Sequence, residues 1–197
     1  MAKKIWQRQR DNWLQLLRSG DEHAFAEFID KYKKTVFLCC RSLGLRQDEA
    51  EDVASETFLA AYKGLRRYSG QAELSTWLWS IAYRQAVNYL RKNRRKWQLL
   101  AEPDEQLAES EERGPVSAAQ GSEESEIIWA AVKRLPKLWA TAVILHYREE
   151  KSVADIAKIM RARKNTVKTY LFRGRERLKS ALGGLAATVG EDADVDR

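Results

Sequence analysis

Between residues 164 and 182, KNTVKTYLFRGRERLKSAL, the apolar residues Val167, Leu171, Leu178 and Leu182 recur at helical spacing on or near one face. Six Lys or Arg stand against one acid, Glu176. Just upstream, Val153, Ile156, Ala157 and Met160 give a shorter stretch its own apolar face, and Ser152 followed by Asp155 predicts a capping box at its start. A short amphipathic helix, a turn of about four residues (RARK) and a longer basic helix make a helix-turn-helix pattern. Before it, AVKRLPKLWATAVILHY predicts two more short helices. Pro136 suits a first helical turn, and Leu135, Leu138, Trp139, Ala142, Val143, Leu145 and Tyr147 are expected to form a core.

The first half of the chain is helical by the same criterion. In RQDEAEDVASETFLAAYKGL (46–65), Ala50, Val53, Ala54, Thr57, Phe58, Ala61 and Leu65 predict the buried side of one helix. Further on, STWLWSIAYRQAVNYLRK is apolar nearly all round, with Ser75 or Thr76 as the expected cap and Trp77, Leu78 and Ile81 as the first core candidates.

Charge separates these patterns into blocks. Residues 74–101 contain no acid but hold Arg84, Arg91, Lys92, Arg94, Arg95 and Lys96. Residues 102–126 carry nine acids against the single Arg113, with Pro103, Gly114, Pro115 and Gly121, which is the composition of a linker. The expected architecture is therefore all-α. Residues 1–19 form an N-terminal extension, 20–97 and 125–182 two small helical domains, 98–124 an acidic flexible linker, and 183–197 a disordered tail.

The 197 residues carry a formal charge of +7, which suits a polyanionic partner. No apolar run approaches the ~20 residues of a membrane span, and MAKKIWQRQRDNW lacks the apolar core of a signal peptide. The adjacent Cys39 and Cys40 suit neither a loop-closing disulfide nor a zinc site, so a cytoplasmic location is expected. No phosphate-binding loop, dinucleotide fingerprint or nucleophile motif is present, and the only histidines are His23 and His146, so neither enzyme activity nor a cofactor or metal is expected.

Two surfaces carry the candidate chemistry. On the basic helix, Lys168, Thr169, Phe172 and Arg173 lie away from the apolar stripe and suit the major groove, while Arg175, Arg177 and Lys179 would reach phosphates. In residues 46–65, Asp48, Asp52 and Glu56 at i, i+4 and i+8 form an acidic ridge that DNA would repel and a basic protein partner would fit. Between them, aromatics beside the basic run 91–96 suit unstacked bases and a phosphate backbone.

Five stretches, GDEHAFAEFIDKY, DEAEDVASETFLAAYKGL, AELSTWLWSIAYRQAVNYLRKNRRK, RLPKLWATAVILHY and KSVADIAKIMRARKNTVKTYLFRGRERL, follow in the order and spacing of one family. The chain resembles a bacterial RNA polymerase sigma factor of the extracytoplasmic-function group. The resemblance implies a non-enzymatic protein that binds core RNA polymerase, at the largest-subunit coiled coil and the flap, carries it to promoters and helps melt the DNA. It assigns Asp52, Val53, Glu56, Thr57 and Phe58, with Asp48 beside them, to the coiled coil. The loop Tyr68–Leu74 is assigned to a flipped base of the −10 element, and Arg84, Asn88, Arg91, Lys92, Arg94 and Arg95 to the rest of that element. Arg163, Lys164, Lys168, Thr169, Phe172, Arg173, Arg175 and Arg177 fall to the −35 element, and the acidic linker to the RNA exit path. An anti-sigma factor is a further candidate partner. Leu74 stands where the family usually has Phe, and Arg84 where Asn is common. Arg161 replaces the usual turn glycine, so the turn is expected to avoid a left-handed residue. The alternative, a stand-alone helix-turn-helix regulator, accounts for 150–182 but leaves the acidic ridge and the aromatic-basic helix unexplained.

Overall fold

The computed structural model describes residues 12–92, Trp97 and residues 123–182, with side chains described from 127 in the last segment. Among these the chain is helical, with no strand, as the patterning predicts. It divides into two compact units, one built mainly from residues up to 89 and the other mainly from residues beyond. The expected acidic linker up to residue 122, the C-terminal tail and the basic residues Arg94 and Arg95 lie outside the described residues, while the last two linker positions, Glu123 and Glu124, already belong to a helix.

The first unit begins earlier than the expected boundary at residue 20. Helix α1 (12–19) packs through Leu17, 2% exposed, and through Trp13 against Phe28. It ends at Gly20 (φ +84), where Asp21 N–H reaches Leu16 O and Gly20 N–H reaches Leu17 O. This left-handed stop belongs to glycine. Asp21 then caps α2 (Glu22–Ser42), accepting from Ala24 N–H at 2.8 Å. Phe28 is fully buried at the centre of an aromatic group comprising Trp13, Phe25, Tyr32 and Phe58, with Tyr62 edge-on to Phe25. Cys39 and Cys40 are free and buried, and burial pushes the Cys40 thiol up to about 12, which suppresses its thiolate.

Helix α3 (Gln47–Leu65) buries Ala50, Val53, Thr57, Phe58, Ala61 and Leu65, the side the sequence predicts. Its first turn is closed by Glu49, a buried acid whose carboxylate accepts Arg46 N–H at 3.0 Å. Helix α4 (Leu74–Lys92) departs from expectation at its start. Glu73 supplies the first carbonyl, to Trp77 N–H at 2.9 Å, so neither Ser75 nor Thr76 is the cap, and Thr76 is buried inside the first turn. The tryptophan assignment also changes. Trp79 is 1% exposed while Trp77 is half-buried, lying in the space above Gly64 where a Cβ would come within 3.0 Å of its ring.

The second unit holds α5 (Glu123–Lys133), α6 (Lys137–Val143), α7 (Val153–Met160) and α8 (Lys164–Leu182), with α8 packed on the other three. Leu135, Trp139, Ala142, Val143 and Leu145 are buried as expected, and Pro136 directly precedes α6. Leu138 is half-buried, and Tyr147 is a correction, being 45% exposed. The cause is a π-turn over Ile144–Arg148, closed by Glu149 N–H on Ile144 O, which inserts one extra residue. Past this turn Tyr147 faces outward, while Ile144 at its start is buried. His146 is structural, its Nδ1 3.2 Å from Lys151 O.

Ser152 caps α7, accepting from Asp155 N–H at 3.1 Å and donating its hydroxyl to the Asp155 carboxylate. The turn that follows contradicts expectation: Arg161 is left-handed (φ 51, ψ 41). Ala162 N–H bonds Ala157 O at 3.0 Å, a helix stop that needs this conformation whatever residue supplies it. An arginine there carries roughly 1–2 kcal/mol of backbone strain. Arg161→Gly should therefore stabilise this unit, by up to about 1 kcal/mol after glycine's extra freedom in the unfolded chain is subtracted, and raise its melting temperature. Calorimetry of the full chain checks this, and an unchanged or lower midpoint would contradict it.

Candidate protein and nucleic-acid interfaces

On α3 the acidic ridge is a real surface feature. Asp48, Asp52 and Glu56 are all exposed, and Asp52 and Glu56 make no ion pair among the described residues. Asp48 is partly neutralised by Arg46 at 3.1 Å. The other three residues assigned to this contact are elsewhere: Val53, Thr57 and Phe58 are 3%, 0% and 8% exposed. They support the helix from below, with Thr57 donating to Val53 O at 2.7 Å. Patterning alone missed Leu59 and Tyr62, which are 50% and 43% exposed on the ridge side. Leu59 falls between Asp48 and Asp52 on the helical wheel, so the surface is an apolar contact flanked by acids.

On α4, Arg84, Asn88, Arg91 and Lys92 are exposed at i, i+4, i+7 and i+8, one continuous polar and basic stripe. Arg91 lies 4.7 Å from the Trp97 ring centre. The aromatic faces expected beside this stripe are mostly spent on the core, since Trp79 and Tyr83 are buried. Tyr68 is also buried (8%), its ring 5.1 Å from Trp77 and its hydroxyl donating to Ala72 O, so it braces the loop and offers no face to a base. Leu74 is half-buried. The exposed part of the loop is Ser69, Gly70, Gln71 and Glu73.

On α8, Asn165, Lys168, Thr169, Phe172 and Arg173 share one exposed side opposite the buried Val167, Leu171 and Gly174. Lys164 and Arg163 are exposed at its start, Arg163 O accepting from Val167 N–H. Phe172, 59% exposed, is an uncovered aromatic on a basic helix. Arg173 lies over the Trp139 ring at 5.8 Å, which steadies its guanidinium beside the face. Arg175 and Arg177 are half-buried. At about 100° per residue Arg177 points roughly 140° from Phe172, so it flanks the face and is not on it.

Two family models match, Sigma-70 region 2 over residues 28–96 and Sigma-70 region 4 over residues 125–178. The "ECF RNA polymerase sigma factor SigW" of Bacillus subtilis is 33% identical over 86% of this chain and 94% of its own length. The "RNA polymerase sigma-H factor" of Pseudomonas aeruginosa is 31% identical over 90% and 96%. The chain belongs to the ECF sigma-factor family. Its fold agrees with that of the sigma factor RpoE from Bartonella quintana, solved with the anti-sigma factor NepR, at a TM-score of 0.64 and 22% identity over 81% of this chain and 97% of that one. CnrH, solved with the cytosolic domain of CnrY, gives a TM-score of 0.53 at 17% identity over 86% and 94%. As an ECF sigma factor the chain is a transcription initiation factor and not an enzyme. Among its described residues no helix is long and apolar enough to cross a membrane.

Proposed function

We propose that this sigma factor divides its two tasks, binding core RNA polymerase and recognising promoter DNA, among three separate surfaces. The acidic ridge of α3, with Leu59 and Tyr62, docks on the coiled coil of the largest polymerase subunit. The α4 stripe and the loop 68–73 hold the −10 element, and the exposed side of α8 reads the −35 element. The second unit also meets the flap.

The observation that carries this reading is the segregation of charge by helix face. Asp48, Asp52 and Glu56 line one exposed side of α3, with Asp48 beside Arg46 and with Lys63 at the far end, while Arg84, Arg91 and Lys92 on α4 and Lys164, Lys168 and Arg173 on α8 are exposed on faces without an acid other than Glu176. This segregation supports partners of opposite sign on the different faces. The sigma factor RpoE, solved with the anti-sigma factor NepR, supports a protein inhibitor as a further partner, and action on polymerase and promoter DNA supports work in the cytoplasm. Reconstitution with core polymerase, followed by transcription from a library of promoter fragments, tests the reading. Recovered promoters should share two elements at fixed spacing. A chain that binds duplex DNA but never core polymerase would instead be a stand-alone regulator.

A further inference from the structure

Helix α1 lies ahead of the residues matched by the region 2 model, which begin at 28, and no role attaches to it in the reading above. One of its side chains reaches across 50 positions of sequence. Arg18 Nη2 donates to Tyr68 O at 2.6 Å, and its guanidinium stands 5.9 Å from the centre of the Tyr68 ring. Tyr68 is the first residue of the loop, and its hydroxyl closes on Ala72 O at the other end. Its ring rests on Trp77 in the first turn of α4. Arg18, Tyr68 and Trp77 thus form a stack that fixes both ends of the loop and leaves Ser69, Gly70 and Gln71 projecting. Gly70 stands at φ +77 with nothing within 4 Å of where a Cβ would be, so the loop tip is held open.

The arginine is an awkward choice if its task is only to anchor α1. Its Nε is buried and has no hydrogen-bond partner among the described residues. A buried donor left unpaired is destabilising, and an apolar side chain of the same length would pack against Tyr68 without it. What the guanidinium adds is a short, charge-assisted bond to one carbonyl at the hinge of the loop. Holding a loop in its bound shape removes the entropy of ordering it when ligand arrives.

We propose that Arg18 is a positioning residue for base capture: through the Tyr68 carbonyl it sets the loop 68–73 in the shape that receives the unstacked −10 base. This rests on the reading of that loop as the capturing element. Arg18 acts through Tyr68 and touches no base itself.

The test uses polymerase reconstituted with the full chain and a single-stranded −10 oligonucleotide selected with the wild-type holoenzyme. Each position is replaced in turn by an abasic site. For the wild type, one position should weaken binding about tenfold or more, the scale of losing one stacked and hydrogen-bonded base. Arg18→Met should reduce that factor to about twofold at that position alone, by the same scale, with core-polymerase affinity and the effects at other positions unchanged. A purely structural role would instead weaken every position alike, and that result overturns the proposal. Gly70→Val, which strains the loop tip without touching Arg18, separates the two levels of the argument. If Gly70→Val leaves the sensitive position intact, the loop is not the capturing element and the proposal falls with that reading. If Gly70→Val removes the sensitivity but Arg18→Met does not, the reading stands and the proposal alone is wrong. Should Arg18→Met fail to fold, Arg18→Lys decides. It keeps the charge and one donor, and an intermediate factor at the sensitive position is expected; a factor equal to wild type overturns the proposal.

Discussion

Gly174→Val should dissolve the second unit and leave the first one folded. Gly174 sits on the buried side of α8, where a Cβ would meet Val143 Cγ2 at 2.8 Å, with Leu135 and Trp139 immediately behind. Val143, Leu135 and Trp139 are themselves buried, so none can swing aside into solvent. Glycine in mid-helix forfeits about 1 kcal/mol against alanine, so its presence here is explained by packing: it lets α8 close on α6. Alanine regains the helix propensity while introducing the clash, and the two roughly cancel. Valine adds two further methyls to a full core and a β-branched side chain to a helix, at about 3 kcal/mol or more. A unit of this size has little more than that in total. Hydrogen exchange on the full chain should show protection lost throughout α6, α7 and α8 and kept in α2 to α4. Wild-type exchange in α6 and α8 would mean that the helices are not packed as tightly as the geometry says. Val143→Ala combined with Gly174→Val should recover part of the lost stability, because the smaller partner removes the methyl that the new side chain meets first.

The second large effect concerns docking. Asp52→Lys with Glu56→Lys changes the local charge by four units on a surface where both acids are exposed and unpaired among the described residues. If the partner surface is basic, two attractive contacts become repulsive, and affinity for core polymerase should fall by at least about a hundredfold, roughly 3 kcal/mol. Helical content should not change, because neither side chain is part of the core and the like-charge stacking at i, i+4 costs only about 0.2–0.5 kcal/mol per pair in either sign. Leu59→Ala should weaken the same binding with no effect of salt, while the loss from charge reversal should shrink as ionic strength rises. Unchanged affinity in both variants would make this face merely solvated.

Much of this molecule could be read from pattern, because its helices are amphipathic and each needs only its own side chains to declare a buried face. Val53, Phe58, Ile156, Val167 and Leu171 are buried for that reason. The failures come from backbone and long-range effects that periodicity does not carry. One extra residue in the π-turn moved Tyr147 from core to surface. Arg161 took the left-handed stop that its side chain disfavours, because the Ala162 N–H to Ala157 O bond closes the helix and requires it. The tryptophan choice is a different case, since the polar stripe of α4 does carry the phase: Trp77 lies about 20° from Arg84 on the helical wheel and Trp79 about 140° away, and Trp79 is the buried one. The candidate interfaces follow the same division. Asp52, Lys168 and Phe172 are exposed as charge and spacing suggested. Val53, Thr57 and Phe58, which the resemblance placed at the polymerase contact, are buried as the pattern of α3 predicts, whereas Tyr68 turned inward unforeseen and Arg18 could not be connected to it without the fold.

The separation of the two DNA readers is the claim on which the whole reading rests, and transcription from promoter libraries randomised at one element at a time tests it most directly. Arg84 is exposed on α4 and Lys168 on α8, and removal of one base-specific contact costs about 1–3 kcal/mol at a single base pair. With reconstituted holoenzyme, Arg84→Ala should relax base preference within the −10 element and leave −35 preference as in the wild type, and Lys168→Ala should do the reverse. Uniform loss of activity in both variants, with every base preference preserved at both elements, would mean that these side chains only hold the phosphate backbone and would contradict the account.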